Sequence, residues 1–440
     1  MKQMKGLSLV LLVVLMTGTQ LLGQSQKTTP QQLSDTALLT LVQHRTFDYF
    51  WKFAHPVSGL APERTTTPDT VTIGGSGFGV MALLVGIERG FITREEGLQR
   101  MLKIVNFLVR ADHYHGIWPH WMNGSTGKTI PFSRKDDGGD LVESAFMFQG
   151  LLCVRQYFDG NDPKEKELRD KIGWLWNDAE WNWYTRDGQD VLYWHWSPNN
   201  GWSMNHPIRG YNECLITYIL AAASPKYPIS PRVYHQGWAQ SSHFNNGKEY
   251  YGIKLPLGFD YGGPLFFTHY SFLGLDPRGL KDRYADYWEQ NKNHVLINRQ
   301  YCIDNPKKFK GYSADAWGLT ASDSKSFYDA HSPTNDLGVI TPTAALSSFP
   351  YTPKYSMQAL KYFYYKLGDK IWKEYGFTDA YSETDQWYDY QYLAIDQGPI
   401  VVMIENYRTG LLWKLFMSCP EIQQSLNTLG FKRDTPPANK

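Results

Sequence analysis

Apolar residues recur every three to four positions over most of the chain. Between Asp35 and Ala54, Leu38, Leu41, Val42, Phe47 and Phe50 fall on one side, and between Arg94 and Arg110 Leu98, Met101, Leu102, Val105 and Leu108 do the same. That spacing predicts amphipathic helices. Similar segments lie near 78–90, 140–158, 163–180, 212–223, 230–241, 265–273, 280–302, 341–349, 354–374, 398–416 and 419–429. Long polar stretches at 112–139, 182–211, 242–264 and 304–340 separate alternate helices, broken by short β-like pieces such as Val191–Trp196. Loops of that length inside a compact domain are usually functional. A dozen helices with their loops gathered at one rim predicts an all-α fold. The fitting architecture is an (α/α)6 toroid, or six-hairpin barrel, with short β-hairpins at that rim. An irregular α-solenoid is the rival, but no repeat of fixed period supports it. No linker, charge block or low-complexity stretch divides the chain, so residues 24–440 read as a single domain.

The N-terminus departs from this pattern. Lys2 and Lys5 precede the uncharged apolar run Leu7 to Met16, followed by small and polar residues up to Gln24. This predicts a secretory signal peptide over residues 1–23, and hence a periplasmic or secreted protein. The run is too short to span a bilayer, which takes about 20 apolar residues, and no comparable run follows, so no membrane insertion is expected. Lys plus Arg number 44 and Asp plus Glu 43, interspersed, for a net charge of +1. Such a balance points away from nucleic acid or an anionic surface as partner, and the expected state is a monomer. Cys153, Cys214, Cys302 and Cys419 are scattered in apolar or aromatic surroundings with no C-x-x-C spacing, so no metal site is expected. Export permits disulfides, yet buried thiols fit a chain of this size equally well.

Aromatic residues make up 15% of the chain, including 16 Trp and 29 Tyr. A large core uses many of them. Others fall in Gly/Asn/Pro-rich loops: Trp118, Trp121, Trp194, Trp196, Trp202, Tyr250, Tyr251 and Trp317. Flat rings in loops suit the C–H faces of sugars. His120, between Trp118 and Trp121, is placed to hydrogen-bond a sugar hydroxyl. His113, His115 and His120 lack the spacing and flanking acids of a metal triad. Gly74-Gly-Ser-Gly-Phe-Gly has no preceding strand and the wrong spacing for a nucleotide loop, so it reads as a helix entry. No G-x-S-x-G elbow is present.

Three acidic positions share one context, the first turn of a helix after a long loop. Asp140 and Glu143 stand three apart, on one helix face; Glu213 opens an apolar helix; Asp396 sits just before a helix with Pro399 in its first turn. Taken singly, each is better explained as a cap, because acids are favoured at helix N-termini. Together they say more. If the inner helices of a toroid enter from one rim, their first turns converge on one cleft, where burial and mutual repulsion keep one carboxyl protonated. Glycoside hydrolysis needs one such acid and one carboxylate.

Four segments carry a family resemblance: Gly116-Ile-Trp-Pro-His-Trp, Asp140-Leu-Val-Glu-Ser-Ala-Phe, Arg209-Gly-Tyr-Asn-Glu and Tyr312-Ser-Ala-Asp-Ala-Trp-Gly-Leu-Thr-Ala-Ser-Asp. From about Thr46 to Lys432 the chain resembles the glycoamylase-like family, glycoside hydrolase family 144, known for endo-β-1,2-glucanases. The resemblance implies an (α/α)6 toroid and inversion at the anomeric carbon without metal or organic cofactor. It implies Glu213 as general acid, Asp396 as base, Asp140 and Glu143 as essential acids, and Asp136 as a substrate contact. Trp118, His120, Trp121, Trp202, Arg209, Tyr211 and Trp317 complete the expected glucan-binding set. A glucoamylase-like hydrolase of α-glucan is the runner-up. A toroid polysaccharide lyase using Arg209, His206 and Tyr211, and a non-catalytic glycan-binding protein, are the readings from other classes.

Overall fold

The computed structural model describes residues 32–434, so the expected signal peptide, residues 1–23, lies outside the described residues. Among these there are thirteen α-helices. They are α1 (Asp35–Trp51), α2 (Ile73–Glu88), α3 (Arg94–Leu108), α4 (Leu141–Tyr157), α5 (Pro163–Asp178), α6 (Leu215–Ala223), α7 (Tyr287–Asp304), α8 (Pro342–Leu346), α9 (Pro353–Tyr365), α10 (Gly368–Ile371), α11 (Ala394–Arg408), α12 (Leu411–Met417) and α13 (Pro420–Thr428). Strands are two or three residues long and pair in twos or threes. The molecule is helix-rich with short strands, and among the described residues no helix is long and apolar enough to cross a membrane.

Two kinds of helix alternate along the chain. In α2, α4, α6, α8 and α11 nearly every residue is buried, polar ones included. By contrast α3, α5, α9 and α13 bury one stripe and turn a polar face to water, as surface helices do. The buried helices touch one another: α2 packs on α4 and α11, α4 on α6, and α8 on α11. One connected apolar cluster runs from Leu38 to Phe431. Gly77 of α2 and Gly150 of α4 let these two helices meet backbone to backbone, for a Cβ on either would collide with the other helix's main chain. The glycine run from Gly74 is therefore a helix entry built for close packing.

Several helices end elsewhere than periodicity predicts, each for a local reason. The 230–241 segment is a π-helix over Val233–Ala239, and 265–273 forms two short 3-10 turns, Leu265–Thr268 and Ser271–Leu273. The 280–302 segment starts late, because Leu280–Lys281 pairs with Lys432–Arg433 and the Asp286 side chain caps α7 by accepting the Trp288 and Glu289 N–H groups. Gly410, at φ +70°, splits 398–416 into α11 and α12. The strand foreseen within Val191–Trp196 is His195–Trp196, paired with Gly139–Asp140 at the entrance of α4. All four cysteines are buried and free.

Candidate active site

A cavity of about 320 Å³ opens where the buried helices begin. Its wall takes Thr72 from before α2, Glu143 and Phe146 from α4, Glu213 from before α6, Phe266 from the first 3-10 turn, Tyr270 from between the two turns, and Leu393 and Ile395 from the start of α11. Rim loops add His120, Trp121, Phe132, Trp194 and Tyr328. The first turns converge.

Acids meet there in two groups. In the first, Asp140 is the N-cap of α4: its Oδ1 accepts the Val142 and Glu143 N–H groups at 3.0 Å each. Its Oδ2 accepts from His120 Nδ1 at 2.9 Å. Burial opposes a charge on His120, but Glu143, Asp140 and Asp136 outweigh it and raise the imidazole to about 9, so the ring is a cation at neutral pH. Glu143 accepts the Gly74 N–H at 2.8 Å, an approach that a side chain at Gly74 would block. Burial raises its carboxyl above the usual range, and His120 pulls the other way. Among the described residues no such cation acts on Glu213. Burial raises it to about 7, its own backbone N–H opposing and Glu143 and Asp140 adding to the rise. A carboxylic acid therefore survives near neutral pH on the cavity wall.

The second group surrounds Arg64. Its Nε donates to Glu63 at 2.8 Å and its Nη1 to Asp323 at 2.8 and 3.1 Å; Glu63 and Arg64 both line the cavity. Behind them lie Asp379, Asp389 and Asp396, all buried, and burial raises each of the three carboxyls. Asp396 lies in the first turn of α11, with Pro399 one turn further inside the helix. Its carboxyl is one layer back from the wall that Leu393 and Ile395 form. Tyr270 feels both groups: burial raises its phenol well above the ordinary value, and Asp396, Glu143 and Glu213 all act on it.

The remaining expected residues divide. His120 and Trp121 line the cavity. Asp136 stands behind it, its Oδ1 3.0 Å from His195 Nε2. Trp118 is core instead, 1% exposed, its indole donating to the Leu108 carbonyl. Tyr211 is buried against Trp238, Phe244 and Tyr287, and Trp317 is fully buried. Trp202 packs on Tyr184 and Tyr193, and exposed Arg209 does not reach the wall. The three loop histidines diverge: His113 faces Ala111, His115 stacks on Trp183, and His120 turns inward. Sequence reasoning passed over Glu63, Arg64, Phe132, Tyr270 and Tyr328. The adjacent charges Glu63-Arg64, in a segment assigned no element, were the available signal.

Comparison with known proteins follows the same line. The Glycoamylase family model matches residues 205–420. A curated relative, the exo β-1,2-glucooligosaccharide sophorohydrolase (non-reducing end) of Parabacteroides distasonis, is 47% identical over 92% of this chain and 60% of its own length. The chain thus spans about three fifths of that relative. The structure of an endo-β-1,2-glucanase from Chitinophaga pinensis, in complex with sophorotriose and glucose, is 60% identical. It covers 91% of this chain and 99% of its own, with a TM-score of 0.89. An endo-β-1,2-glucanase from Talaromyces funiculosus shares the fold at 10% identity, with a TM-score of 0.63 over 91% of both chains.

An aromatic cavity at the starts of buried helices, with Glu213 raised to about 7 on its wall and further carboxyls around it, has the groups that glycoside hydrolysis uses. The relatives narrow that class. The chain belongs to the glycoamylase-like family, glycoside hydrolase family 144.

Proposed function

We propose that this protein hydrolyses β-1,2-glucan or β-1,2-glucooligosaccharides with inversion at the anomeric carbon. The observation that carries the reading is Glu213: a carboxyl on the cavity wall, raised to about 7, with no cation acting on it among the described residues. The names of the relatives support the linkage. Glu213 gives its proton to the departing glycosidic oxygen. A water attacks the anomeric carbon and passes its proton to Asp396; the C–O bond to the leaving group breaks as the new one forms. Glu143 and the His120 cation, fixed by Asp140 and with Asp136 behind it, hold sugar hydroxyls, while Trp121, Phe132 and Trp194 take sugar faces. Inverting sites space their carboxyls about 6.5–9.5 Å apart to admit that water.

The alternation of buried and amphipathic helices supports an (α/α)6 toroid. The pairs are α1 with α2, α3 with α4, α5 with α6, the π-helix with the 3-10 turns, α7 with α8, and α9 with α11. Residues 24–440 are read as one domain, released as a periplasmic or secreted monomer after removal of residues 1–23. The lyase reading loses Tyr211, which is core, and Arg209, which does not line the cavity, and keeps only His206, stacked on the wall residue Trp194. The test is incubation with linear β-1,2-glucan, β-1,3- and β-1,4-glucans, starch and a polyuronate. Sugar from β-1,2-glucan alone is expected. Glucose from starch would favour a glucoamylase, and an ultraviolet-absorbing product a lyase.

A further inference from the structure

Behind the cavity wall, one carboxyl has no part in the reaction as set out above. Asp379, between the strands Gly376–Phe377 and Tyr381–Ser382, is 2% exposed, and Asp396 is 1% exposed. Asp379 Oδ2 accepts the Asp323 N–H at 2.8 Å. Its Oδ1 meets no donor among the described residues, and neither do both side-chain oxygens of Asp396. The two carboxyls are within hydrogen-bond reach of each other. Two carboxylates in that contact repel, and neither has a hydrogen to offer; with one proton between them they form a strong hydrogen bond.

No neighbouring cation removes the need for that proton. Arg64 is engaged by Glu63 and Asp323. Asp323 and Asp389 each bring an oxygen to within 4.8 Å of Asp379, and Asp389 Oδ1 is held by the Tyr390 and Gln391 N–H groups. From the cavity side, Tyr270 and Tyr328 approach Asp396 as neutral phenols. Three other carboxyls act on each of the two, but Arg64 favours the charge on Asp396 and is not among the groups that act most on Asp379. With Oδ2 fixed by a backbone N–H, its free Oδ1 points to Asp396 as the place for the proton.

We infer that Asp379 holds a proton and donates it in a hydrogen bond to Asp396, keeping Asp396 the carboxylate that receives a proton from the attacking water. Asp379 is then a positioning residue that acts through Asp396 and touches no substrate. The inference rests on Asp396 being the base. It requires that Asp379→Asn, whose amide still donates but more weakly than an acid, leave Asp396 easier to protonate. The acid limb of kcat/KM then moves to higher pH by about one unit, on the scale of one neighbouring charge-assisted contact. Asp379→Ala offers no donor and loses more activity than Asp379→Asn.

The experiment compares infrared spectra of wild type and Asp379→Asn at neutral pH, in EDTA, in the C=O region of protonated carboxyls, together with the two pH profiles. Loss of one protonated-carboxyl band and an upward shift of the acid limb are expected. An unchanged band means that Asp379 is ionised, and overturns the inference. A lost band with an unmoved limb upholds the shared proton and contradicts Asp396 as base instead. Should Asp379→Asn fail to fold, Asp396→Asn reads the same pair. An amide facing Asp379 removes the charge that retains its proton, so the band weakens or moves, and an unchanged band there also overturns the inference.

Discussion

A single carboxyl, Glu213, concentrates the chemistry. Glu213→Gln keeps the shape and removes the transferable proton, so kcat falls by at least ~10²-fold, the scale of general acid catalysis. In the wild type the alkaline limb of kcat/KM lies near 7, where Glu213 loses its proton. The same group costs stability. Below its ordinary value of 4.5 both folded and unfolded chains hold the proton; between 4.5 and about 7 only the folded chain does. Stability therefore falls with rising pH across that window, by about 3 kcal/mol in all, and denaturant titrations of Glu213→Gln should lack this component. The aromatic residues divide in the same way. Trp121→Ala, on the wall, raises KM with little change in melting, whereas Trp317→Ala, in the core, costs about 3–5 kcal/mol with KM unmoved in the folded fraction. Sequence alone could not separate these two tryptophans, because both sit in loops and burial is decided by what the loops pack on. Asp140 shows the opposite case: the cap reading and the site reading are both true, since one oxygen caps α4 and the other orients His120.

Helices were legible where periodicity was strong and caps were explicit. Ser34 before α1, the Thr93–Glu96 capping box of α3 and Asp162-Pro163 at α5 mark starts that the pattern locates to the residue. Ends governed by tertiary pairing, such as Leu280–Lys281 against Lys432–Arg433, left no local signal. Nor did periodicity distinguish an α-helix from the π-helix at Val233–Ala239 or from the 3-10 turns flanking Tyr270. Glycines in helices serve different ends, and two substitutions separate packing from propensity. Gly173→Ala in α5 meets nothing within 4 Å and should stabilise by about 0.5–1 kcal/mol. Gly77→Ala in α2 drives a Cβ into the Phe146 carbonyl, main chain that cannot rotate away. Overpacking of that kind costs about 1–3 kcal/mol. Thermal melts of the two variants should move in opposite directions, and a shared direction would contradict the α2–α4 packing.

At the scale of the molecule, the gathering of Asp140, Glu143, Glu213 and Asp396 was foreseen, but not the charged groups that surround Asp396. Acids at Glu143 and Glu213 arrive at the cavity because each opens a buried helix. The group around Arg64 is assembled from positions as far apart as Glu63, Asp323, Asp379 and Asp396, which no short motif unites. In the proposed mechanism Glu213 is the protonated acid and Asp396 the base that an inverting hydrolase requires. The most direct measurement of that claim is proton NMR of linear β-1,2-glucan during the first moments of cleavage by the purified protein. New reducing ends should appear first as the α-anomer, drifting to equilibrium only later by mutarotation. Initial β-anomer would mean a covalent intermediate on a nucleophile and contradict the pairing of Glu213 with Asp396; no cleavage of this glucan would contradict the proposed substrate.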